Sequence, residues 1–453
     1  MLSAGTLRVD EFIDSHPVSR FQKRVLILCF FIVAIDGLDT SCIGFIGPAI
    51  RAHWNLTATA LAPLFGAGLA GLMIGALCFG PMADKIGRKK VLVISVLVFG
   101  LASLASAFSP TLQILIVMRF VTGLGLGGAM PNAITLTSEY CPSAKRSGLV
   151  TLMFCGFTVG AALGGLISAQ LVGLIGWHGV LAIGGALPLA LVPLMLGLLP
   201  ESIRFLLLSR AKKDYQRVVA IASRITSNGT SVPNLCADEV ASRSSVKALF
   251  APGVFLGTML LWTTFFMSLL VVYLLTNWMP VLLASAGVSL KEASLITMMY
   301  QVGATIGGIW LGRKMDKFDP QCVLAWSYVA AAVLVALCAF SGDSKVLAAL
   351  SVFGVGFFIS GGQIGGYALA AGYYATSSRA TGVAWSNAAG RVGSVLGSML
   401  GGAMMGMGLE LRGIILMLTV PALIAAASLF TLERVRRGQH RDATVRISSP
   451  VAE

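Results

Sequence analysis

The sequence predicts an all-α membrane protein: twelve transmembrane helices in two six-helix halves, with both termini cytoplasmic. Composition is the first reason. Of 453 residues, 56% are hydrophobic and 11% charged, with a mean hydropathy of +0.86, whereas a soluble domain carries roughly 25% charged residues. Length is the second: apolar runs of roughly 20 residues, enough to cross a hydrocarbon core of ~30 Å, follow one another from end to end and leave no long soluble domain. The third is an internal repeat of motifs between the two halves.

The first half, residues 1–200, has apolar runs at 25–47, 59–79, 90–109, 112–137, 148–172 and 178–199. A charged cytoplasmic linker, 201–250, leads to the second half, 251–433, with runs at 254–279, 291–311, 321–341, 346–372, 380–405 and 412–432, and a cytoplasmic tail, 434–453, follows. The stretch "MLSAGTLRVDEFIDSHPVSRFQKR" is polar, and acidic before it is basic. It does not read as a cleavable signal, so the first span is expected to stay.

A formal charge of +14 invites a nucleic-acid partner, but its distribution argues against one. With the N-terminus inside, Arg51, Lys291, Lys345 and Arg412 fall on the outer side and Arg119 and Arg391 within spans, while the rest of the 33 Lys and Arg are cytoplasmic. That asymmetry follows the positive-inside rule, so the charge sets topology. The eight cysteines are scattered, mostly in apolar runs and without C-x-x-C; they read as small hydrophobes, not as a disulfide framework or metal site. His16, His53, His178 and His440 lie outside the spans or at the edge of one. No His-based metal or nucleophilic site is expected in the membrane core.

The repeat is visible in residues. "GPMADK" from Gly80 recurs as "GRKMDK" from Gly312, "GLG" at Gly123 as "GVG" at Gly354, and "RSG" at Arg146 as "RATG" at Arg379. Gly156, Gly160 and Gly164 in the fifth span match Gly393, Gly397 and Gly401 in the eleventh. Duplicated halves of this kind place a substrate site at their interface near the bilayer midplane, with rocking of the halves giving alternating access. Small residues every four positions favour close helix packing, and packing is the first reading of these glycines. "GLGLGG" from Gly123 also fits G-x-G-x-x-G, but it lies inside an apolar span and not after a strand, which rules out the dinucleotide reading.

Four ionisable residues sit inside spans. An Asp at a helix centre costs roughly 3 kcal/mol on insertion scales, so Asp36 and Asp39 must be paired or needed. At ~1.5 Å per residue, Asp36 lies ~16 Å above Val25, near the midplane, with Arg391 at the same height; Asp39 and Arg119 are level at ~9 and ~10 Å from the outer edge. Two satisfied ion pairs that only lock helices would account for this, yet buried pairs add little stability, and intramembrane ionisable residues mark function by default. A functional reading assigns proton coupling to Asp36, Asp39 and Arg119, because burial raises a carboxyl group's proton affinity and a nearby cation lowers it. Arg391 is then the carboxylate clamp, since a guanidinium fork offers two parallel hydrogen bonds.

At this depth the second half offers Trp262, Phe265, Phe266, Tyr273, Asn277, Trp278, Phe357, Phe358, Gln363, Tyr367, Trp385 and Asn387. Each reads singly as core. Together, an aromatic-lined cavity with amides and phenols suits a planar hydroxylated acid, with Tyr273, Gln363 and Trp385 as candidate contacts. Asp84 with Arg88, and Asp316, sit in the duplicated loop motif. Ordinary topology-setting charge is one reading, and a conformational latch, shared by Glu139 with Arg146, is the other.

"GPMADKIGRKK", "RFVTGLGLGG" and "PESIRFLL" resemble signatures of the major facilitator superfamily. "DGLDT…GFIGPAI" with "RATGVAWSNAAGRVGS" is similar to its aromatic acid:proton symporter family, and the resemblance runs over essentially the whole chain, "DEFIDSHPVSRFQ" included. It implies import of a benzoate-type acid with a proton through the bacterial inner membrane, driven by the gradient and without a cofactor, by a protein that is not an enzyme and works as a monomer in the lipid bilayer. Family positions carry over to Asp36, Asp39, Arg119, Arg391, Asp84 and Asp316. In "YYATSSRATG" Ala375 stands where a proline commonly follows the tyrosine. The alternatives are an efflux antiporter of the same fold, an importer of another small organic anion, and a membrane chemoreceptor for aromatic acids. The fifth span's "GFTVGAALGG" lacks the proline of many antiporters, which favours import.

Overall fold

The computed structural model describes residues 6–208, 212–226, 234–236, 246–340, 344–375 and 378–448. The chain is helical almost throughout, as α1 (Val9–Asp14), α2 (Arg20–His53), α3 (Ala58–Ile86), α4 (Arg88–Ser106), α5 (Leu112–Tyr140), α6 (Ser143–Leu198), α7 (Ile203–Leu208), α8 (Lys212–Ile225), α9 (Phe255–Ser285), α10 (Leu290–Met315), α11 (Pro320–Ala339), α12 (Lys345–Tyr373), α13 (Arg379–Gly406), α14 (Leu411–Met417) and α15 (Thr419–Ser448). Two short strands, β1 (Thr6–Arg8) and β2 (Asn234–Cys236), pair in parallel. Among the described residues ten helices are long and apolar enough to cross a membrane. Large apolar side chains such as Ile27, Phe31, Leu101 and Leu152 stand more than half exposed on their surfaces, a pattern suited to lipid and costly in water.

Local chemistry sets where the helices start. Ser19 and Gln22 form a reciprocal capping box at α2, with Ser19 N donating to Gln22 Oε1 at 2.7 Å and Gln22 N to Ser19 Oγ at 3.3 Å, which satisfies two otherwise orphaned donors. Thr111, Ser289 and Ser344 cap α5, α10 and α12, and Asp319 caps α11 ahead of Pro320. α2 therefore begins five residues before its apolar run, while α5, α10, α11 and α12 begin within one residue of theirs.

Two spans depart from simple rods. α6 has 56 residues, ~84 Å if straight, and bends at Gly176, where φ is 68°; a residue with a Cβ is disfavoured in that region. Its arms correspond to the runs at 148–172 and 178–199, with a bend where a loop was expected. The run at 412–432 is divided at Leu418 into α14 and α15, because Pro421 has no N–H to continue the ladder to Met417.

The chain folds into two compact units, Met1–Leu56 with Pro63–Ala241, and Thr57–Ala62 with Ser242–Glu453. The same glycine packing recurs within each. In the first, Cβ atoms on Gly160 and Gly37 would strike the backbone oxygens of Ala34 and Phe157, pressing α6 onto α2; in the second, Cβ atoms on Gly393 and Gly397 would strike those of Phe266 and Leu270, pressing α13 onto α9. Gly71, Gly75, Gly123 and Gly127 lock α3 to α5 in the same way, and Gly303, Gly307 and Gly356 lock α10 to α12. The glycines of "GLGLGG" are helix contacts of α5.

The linker contains more order than a charged loop. α8 buries Val218, Ala222 and Ile225 at helical spacing on one face. They join Val9, Phe12 and Ile13 of α1, Leu235 of β2, and Phe21 and Val25 of α2 in one core. The N-terminal segment and part of the linker thus fold back together onto the first unit. Linker residues 209–211, 227–233 and 237–245, and residues 449–453 of the tail, lie outside the described set.

Candidate functional site

The level heights of Asp39 and Arg119 correspond to a direct pair. Arg119 of α5 forks onto Asp39 of α2, Nη2 to Oδ2 at 2.8 Å and Nη1 to Oδ1 at 3.2 Å, and Nη2 also reaches the Asp39 carbonyl at 3.3 Å. Ser103 of α4 donates to Asp39 Oδ1 at 2.6 Å. Asp39 is 0% exposed and Arg119 2%. Gly184 of α6 lies beside the cluster, where a Cβ would stand in ordinary contact with Asp39 Oδ1 at 3.5 Å and Ser103 Oγ at 3.6 Å. Charge-assisted bonds of this kind are the strong ones. Asp36, one turn earlier and equally buried, accepts from Thr40 Oγ1 at 3.2 Å. Sequence reasoning missed Ser103, because a serine in an apolar run carries no signal of its own.

In the second unit Arg391 of α13 is half-buried, and its Nη1 donates to the Tyr273 hydroxyl of α9 at 3.1 Å. That phenol accepts from the guanidinium and keeps its own proton to donate. Tyr367 of α12 lies beside Gln363 and within electrostatic reach of Arg391 and Tyr273. Gln363 is 6% exposed, and its Nε2 has no hydrogen-bond acceptor; leaving such a donor unsatisfied costs about 1–3 kcal/mol. Tyr367 Oη donates to Asn387 Oδ1 at 3.1 Å. Trp385 is 42% exposed and stacks on Trp262, centroids 5.8 Å apart at 14°. Asn277 and Trp278 bond to Ser398 and serve packing.

The loop charges gather into a network at the end of the first unit where α2 begins. Arg88 contacts Asp84 at 3.2 Å and Glu139 at 3.8 Å. Arg146 faces Asp10 at 3.4 Å, not the Glu139 that sequence reasoning set beside it, and Arg204 grips Asp10 at 2.6 Å. Glu201 Oε1 accepts from the backbone of Lys89 and Ser202, both at 3.0 Å. Asp14 caps α6 by accepting from Ser143 N at 2.6 Å, and that bond holds its carboxyl below the ordinary 3.8. Asp10, Asp14, Arg204 and Glu201 were not singled out from sequence; their signal is "VDEFID" followed at long range by "PESIR". Asp316, the repeat partner of Asp84, is exposed at the end of α10 and makes no ion pair among the described residues.

A model of the Major Facilitator Superfamily matches residues 29–361 and 282–452. The chain is 43% identical over 442 residues to the 4-hydroxybenzoate transporter PcaK of Pseudomonas putida, covering 97% of this chain and 98% of the relative. It is 42% identical over 424 residues to a gallate transporter of Pseudomonas putida, covering 93% and 94%. Its fold is similar to that of a bacterial homologue of the human lysosomal transporter Spinster, with a TM-score of 0.72 at 18% identity, covering 92% and 98%. With matches over nearly its full length, this multi-pass bacterial inner-membrane chain is a transporter and not an enzyme, and it belongs to the major facilitator superfamily, in the family of aromatic acid transporters.

Proposed function

We propose that the protein takes up a hydroxylated aromatic carboxylate together with protons by alternating access, crossing the membrane twelve times with both termini cytoplasmic. The two arms of α6, together with α13 and nine other apolar helices, support the twelve crossings. α13 falls outside the ten apolar spans, as a helix bearing Ser386, Asn387, Arg391, Ser394 and Ser398 would. The distribution of Lys and Arg supports the orientation, and the names of the relatives, transporters of 4-hydroxybenzoate and gallate, support the substrate class.

The observation that carries the reading is the set of donors around Arg391: its guanidinium, the Tyr273 hydroxyl and the buried Nε2 of Gln363. A carboxylate accepts from several donors at once, and the partly exposed Trp385 of the Trp262–Trp385 stack offers an apolar face for a ring. Asp39, clasped by Arg119 and Ser103, is the proton-coupling acid, with Asp36 beside it on α2. Protonation of Asp39 releases Arg119, which makes the pair responsive to the proton gradient. Asp84, Arg88, Glu139, Arg146 and Asp316 act as a cytoplasmic latch that differs between access states.

Cells making the protein should accumulate labelled 4-hydroxybenzoate and lose it on addition of a protonophore; uptake indifferent to the gradient would rule out symport. Arg391→Ala should abolish substrate binding, whereas Asp39→Asn should keep counterflow and lose accumulation.

A further inference from the structure

We infer that His53 and His178 form a binding site for a borderline transition-metal ion, Cu2+, Ni2+ or Zn2+, where the end of α2 meets the bend in α6. Both elements belong to the first unit, and His53 lies ~21 Å along α2 from Asp39. Neutral imidazole is the commonest protein ligand for these ions. The two ring centroids are 5.4 Å apart, with the planes crossed at 80°. A zinc-bound nitrogen sits about 2.1 Å from the metal and about 1.2 Å from its ring centre, so two imidazoles sharing one ion at a tetrahedral angle have centres about 5 Å apart. The observed spacing needs little adjustment to reach that value.

The backbone holds both rings before any ion arrives. α2 ends in a doubly bonded turn, Leu56 N donating to the Arg51 carbonyl at 2.9 Å and Asn55 N to that of Ala52 at 3.4 Å, with Asn55 at a φ of 50°. Asn is one of the few residues besides Gly that suits this left-handed helix end. Arg51 Nε ties the turn further by donating to the Leu56 carbonyl at 3.2 Å. Opposite, Gly176 at a φ of 68° turns α6 immediately before Trp177 and His178. Trp177 is 3% exposed, and its ring stacks on that of His178 with centroids 3.6 Å apart at 26°, which fixes the plane of the imidazole. Trp54 and His53 close on the same indole at 5.2 and 5.8 Å. A Cβ at Gly176 would stand 4.0 Å from His178 Nδ1, so Nδ1 faces the bend and Nε2 is the nitrogen that meets the ion. Ligands held in place in advance lower the ordering cost of binding. His53 is exposed and His178 partly so, which lets an ion reach them from water. Among the described residues no group of three or more His, Cys, Asp or Glu is gathered, so the protein supplies two imidazoles and water fills the other positions. Such a site is open and exchangeable, unlike the closed four-ligand set of a structural zinc.

The test uses the full-length protein purified without a histidine tag, with Cu2+ and Zn2+ as probes and His53→Gln and His178→Gln alongside wild type. Wild type should bind one Cu2+ whose electron paramagnetic resonance shows two equatorial imidazole nitrogens, a measurement that needs no variant. Cu2+ should also quench tryptophan emission, because Trp54 and Trp177 stand against the two rings. Affinity should place Cu2+ ahead of Zn2+. Loss of either imidazole should cost at least the roughly 10–100-fold typical of losing an outer-shell partner. An ion that binds only the folded state raises its stability, so Zn2+ should raise the unfolding temperature of wild type and of neither variant. Without metal the three proteins should unfold at the same temperature, which separates loss of a ligand from loss of the fold. Binding that survives either substitution, a resonance with one imidazole or none, or wild type that takes up neither ion reduces the cluster to aromatic packing and overturns the inference.

Discussion

Splitting the Asp39–Arg119 pair separates an ion pair that serves as structural glue from one that is needed for transport. Consider Asp39→Leu, Arg119→Met and the double variant. Removing one partner of a buried pair leaves an uncompensated charge and costs about 3–5 kcal/mol, while replacing both with apolar residues of similar volume is often neutral. The two single variants should differ in order. With Met at 119, Asp39 keeps the 2.6 Å bond from Ser103, and a lone carboxylate can take up a proton. With Leu at 39, Arg119 loses both fork bonds, retains only the 3.3 Å contact to the residue 39 carbonyl, and cannot shed its charge. Asp39→Leu should therefore be the more destabilised, and the double variant should recover most of the loss. Unfolding in mixed micelles measures the three costs, and accumulation of labelled substrate measures function. The double variant should be stable and no longer accumulate substrate. Two stable single variants would refute the buried-charge argument, and a double variant that accumulates normally would reduce the pair to glue.

Other predictions concern the packing and the N-terminal clasp. A side chain at Gly160 has the backbone oxygen of Ala34 in its way, whereas nothing lies within 4 Å of a Cβ at Gly148; Gly160→Val should abolish folded protein in the membrane and Gly148→Ala should leave its yield unchanged. Asp10→Asn weakens a partly exposed contact to Arg146 and Arg204, so global stability should fall by no more than about 1 kcal/mol, while amide exchange in Thr6–Asp14 and Asn234–Cys236 rises together because β1 pairs with β2. Asp14 is held below its ordinary 3.8 by the Ser143 bond. Its cap therefore contributes above that value and is lost as pH falls through the lowered one; exchange at the start of α6 should speed up on acidification, and Asp14→Asn should remove that dependence.

Heights were legible in the sequence because the rise of a helix is a constant of the backbone. Counting residues from Val25 and Leu112 places Asp39 and Arg119 level, and the fork between them follows. The glycine spacings were legible for the same reason, and the Gly156 and Gly393 ladders pack where their repeat implies. The linker was less legible. "KKDYQRVVAIASRI" is polar in composition, and its buried Val218, Ala222 and Ile225 matter only once α1 and β2 lie against them.

The sequence by itself determined the membrane class, the positions of most spans, the duplication and the matching heights of Asp39 and Arg119. Tertiary structure decided the partners: Arg146 with Asp10, Arg88 with Glu139, Ser103 on Asp39, and Tyr367 with Asn387. Axial position accumulates locally at a fixed rise per residue, so it survives in a one-dimensional string. Which residues meet depends on how each helix is rotated against its neighbours, and that rotation is set by contacts between segments far apart in the chain.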